Sequence, residues 1–142
     1  MQTNKIKDKR VIIIGGAGFI GHNLALKLKE KNADVSIIDG LTVNNLYAIQ
    51  QNKLILPYPK LASTILKERQ KLLKKAKIKF HIEDARNYYK LSSLFNDIKP
   101  QIVIHLAAVS HANKSNKDPH STFDHSLRTL ENALDNAKNN VE

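Results

Sequence analysis

Apolar residues in this chain fall into two kinds of run. Unbroken ones occur at RVIIIGG (Arg10–Gly16) and QIVIHLAA (Gln101–Ala108), and shorter strand-length stretches at DVSIIDG (Asp34–Gly40) and IKFHIED (Ile78–Asp84). A continuous apolar run of strand length, rather than an alternating one, is what a parallel strand covered on both faces carries. Four strands are predicted in all, the second ending at Asp39 and the third covering roughly Ile78 to Ile82. Between them the spacing is helical. From Phe19 to about Lys31, the residues Ile20, Leu24 and Leu28 form one stripe, with Lys27, Lys29, Glu30 and Lys31 mostly opposite. NYYKLSSLFNDI predicts a short helix ended by Lys99-Pro100. After Asp118-Pro119, HSTFDHSLRTLENALDNAK predicts a long helix with Phe123, Leu127, Leu130 and Leu134 on one face. Strands alternating with helices predict an α/β fold with right-handed crossovers and a parallel sheet.

The segment from Gly40 to Lys77 is too long for a simple strand-to-helix connection. Within it Leu61, Ile65, Leu66, Leu72, Leu73 and Ala76 have helical spacing, and Lys67, Arg69, Lys71, Lys74 and Lys75 supply charge. This predicts an inserted amphipathic helical segment, around 45–77, lying against the sheet with a solvated basic face. LPYP, just before it, is an extended connector, because each proline disfavours helix in the residue before it.

Four of the five glycines lie within IIGGAGFIG, Ile13 to Gly21. Gly15-x-x-Gly18-x-x-Gly21 sits between a strand and a helix, where a phosphate cradle belongs. One glycine permits a tight turn, another lets backbone N–H groups approach a pyrophosphate, and the third lets the helix pack close to the strand. The helix start adds unsatisfied N–H groups and partial positive charge, which Phe19 and Ile20 would present. Asp39 follows at the end of the second strand, 18 positions after Gly21, near the ~20 expected of a ribose-binding carboxylate. A carboxylate accepts hydrogen bonds from ribose hydroxyls and repels a 2′-phosphate. The next residues, Gly40, Leu41, Thr42 and Val43, offer no cation to neutralise one, so NAD is expected over NADP.

Composition narrows the partners. The 142 residues suggest one domain, contain no cysteine and carry a formal net charge of +10. The lysines are spread along the chain, which reads as a solvated surface rather than a nucleic-acid stripe. Aromatic residues are not interleaved among them, so nucleic acid is not an expected partner. The six histidines lack a paired ligand spacing, and no metal site is expected. No apolar run approaches the ~20 residues of a bilayer span, so no membrane association and a cytoplasmic location are expected.

These residues carry a family resemblance. The chain resembles the N-terminal part of the extended short-chain dehydrogenase/reductases, the NAD-dependent epimerase/dehydratase family that acts on nucleotide sugars. GGAGFIG is that family's spelling of the glycine motif, and VIHLAA (Val103–Ala108) is its fourth-strand signature. EDARN (Glu83–Asn87) is similar to its third-strand GDIRD, and the helix after Asp118-Pro119 is similar to its NVxGTxNLLEAAR segment. The resemblance implies a Rossmann-type doubly wound parallel sheet, strand order 3-2-1-4, truncated before the family's fifth strand. Residues 1–142 would form the NAD-binding domain. By resemblance, Asp84 would contact the adenine amino group, with Ala85 giving a backbone contact beside it. Leu106, Ala107 and Ala108 would line the cofactor, with Ser110 near the ribose of the nicotinamide half. Asp84 has an alternative role as a helix cap. His105 is expected to be a satisfied core histidine rather than a catalyst; His111 follows on a surface loop.

The departures bear on mechanism. In the long helix the family's Asn aligns with Ser126, its Gly with Thr129 and its Thr with Leu130. The family also uses a Tyr base with a Lys four residues later for hydride transfer. Here the tyrosines are 47, 58, 88 and 89, followed four positions on by Gln51, Ala62, Ser92 and Ser93. No catalytic residue is therefore assigned to this chain. The expected function is the NAD-binding portion of a nucleotide-sugar epimerase or dehydratase, with a nucleotide sugar as substrate of the complete enzyme. A non-catalytic NAD-binding or regulatory module is the alternative. The family's homodimer uses the helices after its fourth and fifth strands, and the first of these is present.

Overall fold

Val11, Ile12, Ile13 and Ile14 are all buried, and their side chains divide between two hydrophobic clusters on opposite sides of one sheet. That division is why the first strand reads as an unbroken apolar run. The computed structural model describes residues 5–51, 53, 56–109 and 116–140. Its strands are β1 (Arg10–Ile14), β2 (Asp34–Asp39), β3 (Lys79–Ile82) and β4 (Ile102–His105). All pairings are parallel, in the order β3-β2-β1-β4. Ile14 pairs with Ile38 on one side and His105 on the other, so three strand ends converge at one edge of the sheet.

The helices cover both faces. On one, α1 (Phe19–Glu30) and α3 (Pro59–Lys75) bring Ala25 and Leu73 against Val11, Ile13, Val35 and Ile37. On the other, α4 (Tyr88–Ile98) contributes Leu91 and Phe95. Lys99, in the left-handed region at φ 50°, ends α4 before the buried Pro100. The short helix α2 (Leu46–Gln50) packs on α3 and is capped by the Asn45 side chain, which accepts from the Ala48 N–H at 2.9 Å. The strand order and both helical layers match the sequence expectation.

Three stripes run differently from the sequence reading. In α1 Leu24 and Leu28 pack against the core as expected, but Ile20 is exposed at the mouth of a cleft, and the buried positions are Gly21, His22 and Ala25. In α3 the inward line is Ala62, Leu66, Arg69, Leu73 and Ala76, whereas Leu61, Ile65 and Leu72 face solvent. The inward residues recur at alternating steps of four and three, so the seam is a narrow one and includes a charged position.

The long C-terminal helix departs most. It comprises α5 (Pro119–Phe123), a π-helical turn over Asp124–Arg128, and α6 (Thr129–Asn140). Its apolar stripe of Phe123, Leu127, Leu130 and Leu134 points outward, and Leu134 is 62% exposed. Its inner face is Thr129, Asn132, Ala133 and Asn136. The physical reason is a set of backbone acceptors beneath it. The Asn132 amide donates to the carbonyls of Ala85 and Arg86 at 2.9 and 3.0 Å. These acceptors lie after β3, where an apolar side chain would leave them without a partner. No helix of the described residues is long and apolar enough to cross a membrane.

Phe95 is fully buried among Ile12, Ile14, Ile38 and Leu91. Phe95→Ala should lower the unfolding free energy by about 3–5 kcal/mol, read from denaturant titration, because the sheet cannot collapse onto the vacated volume.

Candidate functional site

The carboxyl ends of β1, β2 and β4 open into a cleft of about 540 Å³. Such ends are where doubly wound sheets hold ligands. Its floor is the turn from Ile14 to Gly21. Gly15 has φ +79°, and a Cβ there would lie 2.6 Å from the Ala107 nitrogen. A Cβ on Gly21 would lie 2.5 Å from the Gly16 Cα, and one on Gly16 would lie 2.7 Å from the Ile37 side chain. These three glycines are therefore demanded by the turn and by the approach of α1 to the sheet.

Gly18 is different. A Cβ there would meet only the Gly15 oxygen, at an ordinary 3.6 Å, and the backbone conformation suits any residue. The fold does not need glycine at Gly18; the open space beside it does. Gly18 also caps α1 without a side chain to satisfy the first-turn N–H groups. A bare backbone at a helix start, facing a cleft, is a cradle for an anion.

Asp39 ends β2 at the rim of this turn. Its carboxylate accepts from the Ala17 N–H at 2.9 Å and the Leu41 N–H at 2.8 Å, fixing its oxygens at the cleft wall. Gly40 follows, and a Cβ there would approach the Asp84 Cα only to 3.5 Å. Asp84 and Ala85, from the loop after β3, form the next wall. Asp84 does not cap α4; Asn87 does, accepting from the Lys90 N–H. The Asp84 carboxylate instead accepts from Arg86 at 2.6 to 3.1 Å, and Arg86 also donates to Asp124 at 2.8 Å. Arg86 holds both carboxyls below the ordinary carboxylate range, and their charges hold its guanidinium above its own.

Leu106, Ala107 and Ala108 line the far side, after β4. Ser126, standing where the family's Asn aligns, accepts from the Val109 N–H at 3.1 Å and so fixes the course of that loop. His105 is half-buried, with Nε2 3.0 Å from the Thr129 hydroxyl. That hydroxyl also lies 2.9 Å from the His125 carbonyl, so a hydroxyl donating there has a lone pair free for an Nε2–H. Burial lowers the His105 pKa, in keeping with a neutral ring that has found a partner. Ser110 and His111 lie outside the described residues.

The structure thus brings Gly15, Gly18, Phe19, Ile20, Gly21, Asp39, Gly40, Asp84, Ala85, Leu106, Ala107 and Ala108 around one cleft. The sequence reading missed Arg69, Asn44, His125 and Thr129 there. Arg69 reaches it from α3, with Nη1 3.3 Å from the Asn44 Oδ1 and 3.5 Å from the Ala17 carbonyl. The one available signal was its place in the inward seam of that helix.

The strand order and the glycine turn define the Rossmann-type class of doubly wound sheets. A family model described as the NAD dependent epimerase/dehydratase family matches residues 11–141, and the chain belongs to that family. It is 31% identical over 127 residues to a UDP-glucose 4-epimerase of Cyamopsis tetragonoloba, covering 89% of this chain and 32% of that protein. The UDP-glucose 4-epimerase of Stenotrophomonas maltophila, solved with bound NAD and formylated UDP-arabinopyranose, superposes with a TM-score of 0.70 at 21% identity. That match covers 92% of this chain and 33% of the other. An epimerase of Methanothermobacter thermautotrophicus gives a TM-score of 0.72 at 23% identity, covering 97% and 34%. The chain therefore spans about a third of the length of the relatives it matches.

Because Arg86 depresses the Asp84 and Asp124 pKa values, the stability these pairs contribute is present above the ordinary carboxylate value of 3.8. It is lost as pH falls through the lowered folded values. Arg86→Gln should therefore flatten the acid side of a melting-temperature profile below about pH 4 relative to the wild type.

Proposed function

We propose that this chain is the NAD-binding region of a nucleotide-sugar epimerase-type oxidoreductase. The observation that carries the reading is Gly18: a glycine that the fold itself does not require, set in an open cradle at the start of α1. The N–H groups of the turn around Gly18, Phe19 and Ile20 take the pyrophosphate. Gly15 and Gly21 hold that turn against β4 and β1. Asp39, kept in place by Ala17 and Leu41, accepts the adenosine ribose hydroxyls. Gly40 leaves room for the ribose to lie close. Asp84 and Ala85 meet the adenine edge, with Arg86 keeping the Asp84 carboxylate ionised and oriented. Leu106, Ala107 and Ala108 give the nicotinamide half an apolar wall that excludes water.

When bound, NAD supplies a hydride acceptor for a sugar hydroxyl carbon. The residues of this chain bind and orient it; Tyr-x-x-x-Lys does not occur among these 142 residues, and no proton transfer is assigned to them. The nucleotide sugar is the substrate of the complete enzyme. The outward apolar stripe of Phe123, Leu127, Leu130 and Leu134 supports pairing with a second copy through this helix, as the family resemblance implies.

Calorimetric titration of the protein with NAD should give saturable binding. Gly18→Val should weaken it at least about tenfold, or about 1.4 kcal/mol, with the melting temperature nearly unchanged. Binding that survives the valine overturns the assignment of the cradle. For the pairing surface, Leu130→Lys combined with Leu134→Lys should shift sedimentation from dimer to monomer while the circular dichroism spectrum stays the same.

A further inference from the structure

The inward seam of α3 runs Ala62, Leu66, Arg69, Leu73 and Ala76. Leu66 and Leu73 are buried, yet the position between them holds a cation. A core-facing helix normally places apolar residues at every such position. Arg69 extends from the seam into the cleft wall. There its Nη1 lies near two neutral acceptors, the Asn44 amide oxygen at 3.3 Å and the Ala17 carbonyl at 3.5 Å. Its guanidinium stands 6.0 Å from the Phe19 ring centroid. Arg69 forms no ion pair among the described residues, unlike Arg86. Partial burial lowers its pKa, as expected of a guanidinium with no carboxylate beside it.

We propose that Arg69 is a cofactor-binding residue whose guanidinium takes a phosphoryl oxygen of the bound dinucleotide. This rests on the dinucleotide reading given above and adds a residue and a charge to it. A guanidinium has five N–H donors, and the two neutral acceptors leave most of them for a ligand. Arg–phosphate contacts are charge-assisted and often bidentate. The Phe19 ring and the α3 stem hold the fork in place, so little side-chain entropy remains to be lost on binding. Location narrows the phosphate further. Ala17 is shared: its N–H binds Asp39 and its carbonyl faces Arg69. Arg69 and Asp39 therefore both meet Ala17, and Arg69 stands within the region bounded by the glycine turn and Asn44. Two phosphoryl groups approach this region, the pyrophosphate of either dinucleotide and the 2′-phosphate of NADP. Residues 40–43 hold no cation, so α3 supplies the positive charge that the β2 end lacks.

The test compares NAD and NADP dissociation constants for the wild type, Arg69→Gln and Arg69→Lys by calorimetry, with melting temperatures confirming that each variant is folded. Arg69→Gln keeps the stem that packs in the seam, and should weaken binding about tenfold or more. Arg69→Lys should recover part of that loss, because it keeps the charge and loses the fork. Equal losses for NAD and NADP identify the pyrophosphate as the anion, and a loss confined to NADP identifies the 2′-phosphate. Either result supports the proposal. If the wild type binds NAD and both variants bind NAD and NADP as the wild type does, Arg69 is only a wall residue and the proposal fails alone. If the wild type binds neither dinucleotide, the reading of the cleft fails with it.

Discussion

The contact of Gly21 with Gly16 governs the rest of the molecule. A Cβ on Gly21 would lie 2.5 Å from the Gly16 Cα and push α1 away from the end of β1, and one on Gly16 would run into Ile37 of β2. At the observed distance, the start of the helix stands directly over the strand ends. The turn between them then brings the Ala17 N–H onto Asp39 and leaves Gly18 bare. The cleft is thus a by-product of close packing, and its chemistry follows from what the packing leaves uncovered. Parallel strands in register place β2 and β4 beside the same opening, so residues distant in the chain become neighbours without any long loop.

The strands β1 and β2 were legible in the sequence because burial on both faces leaves an unbroken apolar run, whereas the strand order was legible by family resemblance alone. The apolar runs of VIII and SIID, and the glycines after the first of them, had one consistent reading. Asp39 was legible for the same reason, since it interrupts an apolar run where a strand must end. Asp84 was legible as a cleft residue by resemblance alone. Its tie to Arg86 was not, because a two-residue Asp-x-Arg spacing in a loop has no periodicity to mark it. Arg69 was hidden among neighbouring lysines, where only the phase of the helix separates an inward charge from a solvated one.

The C-terminal helix shows why apolar periodicity alone can mislead about orientation. Phe123, Leu127, Leu130 and Leu134 repeat correctly, yet the sheet side is held by Asn132, Ala133 and Asn136. The deciding factor was the Ala85 and Arg86 carbonyls under the helix, which no amphipathicity argument about the helix itself can see. Ser126 and Thr129 act in the same way at the cleft end, tying the helix to Val109 and His105.

That inner face has a thermodynamic consequence. A helix docked mainly by amides, hydroxyls and an alanine buries little hydrocarbon, so its attachment carries a small heat-capacity change, whereas the sheet core carries a large one. The two attachments should therefore respond differently to cold. The isoleucine layers lose grip as the water-driven force fades, while the amide-held helix keeps its enthalpy of docking.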